Sequence, residues 1–150
     1  MKKVEAKIDI QSTAEKVMSA FIDPKMLNGW WGVEKHLIEL KNGGIYSLAW
    51  NVSKDGIGFV STGIIKEYIP NEKLMIENFV YLNPEKSILG PMSLIISTRS
   101  ENDRTELHIC QDGYQSGEDW DWYYNAVLDA WPKALETIKG FIENTAHNKT

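Results

Sequence analysis

The chain has 150 residues, with 16 basic and 21 acidic side chains and a net charge of −5. That balance repels phosphate backbones, and no basic stripe offsets it, which argues against nucleic acid as a partner. No segment approaches the roughly 20 apolar residues that cross a bilayer, and the length suits one domain, expected over residues 1–143 with a flexible tail at 144–150.

The first residues, Met1 to Lys7, carry charges where a secretory leader needs an apolar run, and the chain holds a single cysteine, Cys110. On both features the protein is expected in the cytoplasm, a reducing compartment. Six Trp, six Tyr and four Phe are the unusual part of the composition. Trp is costly to place, because its ring wants burial while its indole N–H wants an acceptor.

In chain order, Val4, Ala6, Ile8 and Ile10 alternate with Glu5, Lys7 and Asp9, the period of a half-buried strand. Ser12-Thr13-Ala14-Glu15 reads as a capping box with Ser12 as the cap, followed by a short helix that turns Val17, Met18 and Phe21 inward. Asp23-Pro24 starts a second short helix, and Asn28-Gly29 is expected to end it. A meander of strands follows, separated by turn signals. Its members are His36–Leu40, Ile45–Val52, Ile57–Ile69, Leu74–Tyr81, Met92–Ser100 and Thr105–Asp112. Their connections are too short for crossovers, so the seven strands are mostly antiparallel. Between Ile57 and Ile69 both alternating sets contain apolar residues and a charge, so the inward face there stays open; a bulge could switch it midway.

The period changes from about Asp119 to Glu143. Trp120, Tyr124, Val127, Trp131, Leu135, Ile138 and Ile142 fall on one helical face. Glu118, Asp119 and Asp121 suit the positive end of that helix, and Pro132 should bend it modestly. One sheet with one apolar face needs a cover, and this long helix is the available one. Because the sheet must curl around it, a gap between the two is expected.

These landmarks resemble the SRPBCC group of the START-like superfamily, and within it the bacterial homologues of the C-terminal domain of the 90-kDa heat-shock-protein ATPase activator. The resemblance runs from Ile8 to Ile142. It is carried by Ala14-Glu15-Lys16-Val17, by Asp23-Pro24 through Trp30-Trp31, and by Gly43-Gly44. Further on it is carried by Gly63 with Glu67 and Pro70, by the strand from Thr105 to Gly113, and by Trp131-Pro132 with Leu135 and Ile138. It implies an α+β helix-grip fold, like that of the birch pollen allergen. A seven-stranded curved antiparallel sheet, two short helices after the first strand and a long C-terminal helix enclose a cavity. The sequence departs from the pattern at Gln111, where relatives often carry His, at Asn78, where they often carry Trp, and at Ala130, where they often carry Gly.

The candidate ligand-binding residues are Trp30, Trp31, Tyr46, Trp50, Asn78, Gln111, Trp120, Tyr124, Val127 and Trp131, since small-molecule pockets are mostly apolar with a few placed polar groups. Any one of the rings could equally be plain core. Adjacent tryptophans cannot both face one interior, so either Trp30 or Trp31 is expected at a rim. His108 should face outward, opposite Leu107, Ile109 and Gln111. His36, His108 and His147 are scattered, and no metal site, cofactor motif or nucleophilic triad is found. The reading that follows is a non-enzymatic domain that holds a small apolar or aromatic ligand. Two others stay open: a chaperone-associated interaction module, and a cyclase- or aromatase-like enzyme in which Glu67 and Tyr124 would supply acid/base chemistry.

Overall fold

A computed structural model describes residues 2–147. The elements run β1 (Lys3–Ile10), α1 (Ala14–Ser19), α2 (Pro24–Trp31), β2 (Lys35–Ile38), β3 (Ile45–Ser53) and β4 (Gly56–Ile69). They continue with β5 (Lys73–Leu82), β6 (Leu89–Glu101), β7 (Arg104–Asp112) and α3 (Glu118–His147). All seven strands form one antiparallel sheet in the order β1-β7-β6-β5-β4-β3-β2. Closing β1 beside β7 leaves β2 at the far edge, and the two short helices fill the crossing from one edge to the other.

Local chemistry sets the element ends, with two departures from expectation. Thr13, not Ser12, caps α1: its hydroxyl accepts from the Lys16 N–H at 3.1 Å. The Ser12 carbonyl oxygen instead accepts from the Thr105 hydroxyl, tying the start of α1 to β7. Asp23 caps α2 as expected, accepting from the Met26 N–H. That helix does not stop at Gly29 but runs to Trp31 and ends at Gly32, whose φ of 74° is cheap only without a Cβ. Gly29 lies inside α2 because a Cβ there would come within 2.7 Å of the Phe141 ring on α3. The extra turn carries both Trp30 and Trp31 onto the helix.

Two register shifts interrupt the β4 pairing, one between Thr62 and Ile64 and one between Ile65 and Glu67, and the second changes the inward face. Phe59 and Ser61 point inward ahead of the first shift, Ile65 beyond it is fully buried on the same parity, and past the second shift Tyr68 packs on the core. Glu67 is thereby turned out into an ion pair with Lys73 at 2.8 Å. His108 likewise faces outward and meets Glu5 at 2.9 Å. At its C-terminal end α3 continues through residues 144–147, where a tail was expected; residues 148–150 lie outside the described residues. Among the described residues no helix is long and apolar enough to cross a membrane.

The core lies between the concave face of the sheet and α3. Leu135, Ile138 and Ile142 of α3 are fully buried together with Val4, Ile10, Leu107 and Ile109. The helix packs chiefly on β1, with a smaller contact to α2. Its first half, from Tyr123 to Ala134, therefore stands opposite the middle strands without filling the space to them.

Candidate functional site

That space is a cavity of about 300 Å³. Tyr46, Leu48 and Trp50 of β3, Phe59 and Ser61 of β4, and Phe79 and Tyr81 of β5 form one wall. Leu94 of β6 and Gln111 of β7 form the back, and Trp31 closes the α2 end. Across from them α3 contributes Tyr123, Val127, Ala130, Trp131 and Ala134. Alternation along each strand puts residues of the same parity on this face, and the α3 spacing of three or four residues does the same for the helix. None of the lining residues carries a charge.

The rings form a continuous belt around the space. Trp30 and Trp31 stack at 4.6 Å and 11°, and Trp31 meets Trp50 edge-on at 5.2 Å. Trp50 stacks on Phe59 at 5.1 Å, Phe59 adjoins Tyr81, and Tyr81 reaches Tyr123 on the helix at 4.9 Å. Several polar tips are anchored on backbone outside the belt. The Trp30 indole donates to Ala20 O at 2.7 Å, that of Trp50 to Trp31 O at 3.0 Å, and the Tyr46 hydroxyl to Phe21 O. With their donors spent there, Trp50 and Tyr46 present apolar ring surface to the cavity. Full burial also pushes the Tyr46 hydroxyl far above its ordinary pKa.

The polar centre of the site is Gln111, only 2% exposed. Its Oε1 accepts from the Trp131 indole at 2.9 Å, and its Nε2 donates to the Tyr123 hydroxyl at 3.0 Å and to the Met92 sulfur at 3.6 Å. An indole N–H can only donate, so the amide oxygen must face Trp131 and the NH₂ must face Tyr123. The Tyr123 oxygen is thus occupied as an acceptor, while its own proton has no protein acceptor among the described residues. Burial raises the Tyr123 pKa, opposed by the Gln111 hydrogen bond, to about 12. Ser61, on the opposite wall, has no side-chain hydrogen-bond partner among the described residues either.

Of the ten candidate residues, Trp31, Tyr46, Trp50, Gln111, Val127 and Trp131 line the cavity. Trp30, Asn78, Trp120 and Tyr124 do not. Trp30 is buried behind Trp31, on which it stacks, so the pair shares one interior through stacking, with Trp31 the less buried of the two. Asn78 sits at the irregularity between Ile76 and Phe79 with a φ of 51°, which turns it out to solvent. Trp120 is buried against Tyr114, and Tyr124 lies beside Tyr114 with the Lys2 ammonium 4.9 Å from its ring. Tyr123, Phe59, Ser61 and Tyr81 are among the lining residues that sequence reasoning missed. For Tyr123 a signal was present, since it lies four residues before Val127 and eight before Trp131. Glu67 and Tyr124 both lie off the cavity lining, so they form no acid/base pair there. Among the described residues no group of three His, Cys, Asp or Glu side chains is placed to hold a metal ion.

The mouth opens beside Ala130, which is exposed, with Val127, Phe59 and Tyr81 half-buried around it. Next to it the β5–β6 loop is held to the start of α3. The Asp119 carboxylate accepts from the Ser87 N–H at 2.8 Å and its hydroxyl at 2.9 Å, and Lys86 lies 4.4 Å from the Trp122 ring centre. Those two bonds hold the Asp119 carboxyl below its ordinary pKa. The acidic start of the helix thus fastens a loop, beyond the dipole compensation expected of it.

A curved antiparallel sheet gripping a long C-terminal helix, with a cavity between them, defines the helix-grip class of the START-like superfamily. Within it the chain belongs to the family described as activator of Hsp90 ATPase homolog 1-like protein, whose family model matches residues 11–143. Solved structures agree on the fold. Protein MLL2253 from Mesorhizobium loti superposes with a TM-score of 0.73 at 18% identity, over 96% of this chain and 98% of that one. ChR145 from Cytophaga hutchinsonii gives 0.72 at 18% identity, over 98% and 97%. The Aha1 dimer from Colwellia psychrerythraea, a solution structure, gives 0.70 at 15% identity, over 93% and 95%. Comparison with curated proteins finds no match.

Proposed function

We propose that the protein is a non-enzymatic binding domain that encloses a small apolar or aromatic molecule between the sheet and α3. One observation carries this reading. A cavity of about 300 Å³ is walled by a belt of rings with a single buried polar network, and its lining holds no carboxylate, histidine or cysteine. Ring faces contribute dispersion and apolar burial, while the few polar groups set orientation, which is the composition of a ligand pocket. A reaction of the cyclase or aromatase kind would need an acid or base beside the substrate, and Glu67 is engaged with Lys73 outside the lining.

The test is a tryptophan-fluorescence titration of the purified protein against sterols, fatty acids, flavonoids and small aromatic acids. Saturable quenching at micromolar concentration, lost in a folded Trp131→Ala variant, is the expected result. A flat response across the panel would remove the reading.

Family membership favours a second reading, a chaperone-associated interaction module. Its test is a low-salt pull-down with the 90-kDa chaperone of the same cell. Capture by the chain would support the reading, and no capture would dismiss it.

A further inference from the structure

The cavity differs from a generic apolar hole in its inventory of hydrogen-bonding groups. The Trp50 and Trp131 indoles and the Tyr46 hydroxyl have already given their protons to protein acceptors. The Gln111 amide has given its hydrogens to Tyr123 and Met92. Among the described residues, the lining donors left without a protein acceptor are the Trp31 indole and the hydroxyls of Ser61, Tyr81 and Tyr123. Of the three rings Tyr123 is the buried one, and Gln111 fixes its oxygen. The space therefore offers donors held in place, and no cation.

An ionised carboxylate moved into such surroundings loses its hydration with no opposite charge to replace it, a large penalty. A carbonyl loses much less and regains a hydrogen bond from a donor already oriented. The volume, about 300 Å³, lies at the small end of ligand pockets, which suits about two or three fused rings rather than a sterol or a long acyl chain. A lining made largely of rings, with Trp31, Trp50, Phe59, Tyr81, Tyr123 and Trp131 among them, favours a flat aromatic occupant.

We infer that the cavity selects uncharged, flat aromatic molecules carrying a carbonyl-type acceptor, and that the Tyr123 hydroxyl receives that acceptor. This inference rests on the reading of the cavity as the binding site. Tyr123 is then a specificity-determining residue, and Gln111 and Trp131 are positioning residues that hold its hydroxyl. Burial keeps the phenol protonated, and so a donor, throughout the neutral range.

Three probes with one ring system separate the claims: naphthalene, 2-acetonaphthone and 2-naphthoate, each titrated by calorimetry into wild type and Tyr123→Phe. The expected result is that 2-naphthoate binds at least about 100-fold more weakly than 2-acetonaphthone. The ketone's advantage relative to naphthalene should fall by about five- to tenfold in Tyr123→Phe. Equal or tighter binding of 2-naphthoate would overturn the neutral class. An unchanged ketone-to-naphthalene ratio would overturn the role of Tyr123. If none of the three binds, the binding-site reading itself fails. The infrared carbonyl band of 2-acetonaphthone bound to wild type gives an answer independent of the variant's folding. A band below its position in an apolar solvent supports the hydrogen bond, and a band at that position overturns it.

Discussion

Replacing Gln111 by Leu removes the one buried amide that joins β7 to α3. Leu fills much the same volume, so the change is one of hydrogen bonding rather than of packing. The Trp131 indole, 7% exposed, would lose the one acceptor it has among the described residues, and the Tyr123 hydroxyl would lose the donor that orients it. An unsatisfied buried donor costs roughly 1–3 kcal/mol and a lost neutral bond about 1 kcal/mol. The apolar replacement, which no longer has to desolvate an amide, returns about 1 kcal/mol. The net expectation is a loss of about 2 kcal/mol, a sizeable part of the 5–15 kcal/mol that holds a typical domain together. For a chain of this length that corresponds to a fall in Tm of roughly 4–8 °C. Urea unfolding followed by tryptophan emission measures it directly. A loss below about 0.5 kcal/mol, with an unchanged m-value, would refute the reasoning, because it would mean that cavity water already serves both groups.

Further expectations follow from neighbouring features. Gly63→Ala would set a Cβ 2.6 Å from Ile76 Cγ2 and 2.9 Å from the Glu77 carbonyl oxygen. It should destabilise by about 1–3 kcal/mol in the same unfolding assay, and a neutral result would mean that β5 yields more easily than its packing suggests. The Asp119 carboxyl titrates below its ordinary 3.8 because Ser87 bonds the ionised form. Its stabilising effect is complete above that value and is lost as pH falls through the lowered one. The stability gap between wild type and Asp119→Asn should therefore close on acidification, and a gap that stays constant from about pH 6 to about pH 3 would contradict the assignment. Tyr123, raised to about 12, works in the other direction. Its contribution is intact below the ordinary tyrosine value near 10 and is lost as pH rises towards about 12. An ultraviolet ionisation titration should show the Tyr123 signal, assigned by Tyr123→Phe, appearing only near that upper value, and ionisation near 10 would show the hydroxyl to be wet.

The strand meander, the two short helices and the period of α3 were legible because each depends on local chemistry: alternation, caps and a repeat of three to four residues. What escaped depended on partners distant in sequence. The inward face of β4 changes at the second of two register shifts against β5, and nothing in Ile57–Ile69 alone decides where it falls. Asn78 leaves the cavity wall because the β5–β6 pairing breaks beside it, although an Asn inside an apolar strand was a hint, since Asn tolerates positive φ better than most residues. Tyr124 and Tyr123 were indistinguishable by periodicity. The choice is made by the seating of α3 on the sheet, where both rings adjoin Tyr114 and Tyr123 is the one that reaches Gln111. Gly29 looked like a helix end and instead serves close packing of α2 on Phe141. Trp131 and Gln111 were each picked out singly, but the bond between them joins residues 20 apart and could not be read from either one.

The most direct test of the binding reading uses the six tryptophan indole N–H resonances as reporters spread through the molecule. A two-dimensional ¹H–¹⁵N spectrum would be recorded while 2-acetonaphthone is titrated in, with each indole assigned by single substitution. Saturable shifts at Trp31, Trp50 and Trp131, with Trp120 and Trp122 unmoved, are the predicted result, because the first three line the cavity and the last two lie outside it. Shifts confined to Trp120 and Trp122, or no saturable shift at any indole, would contradict an internal binding site.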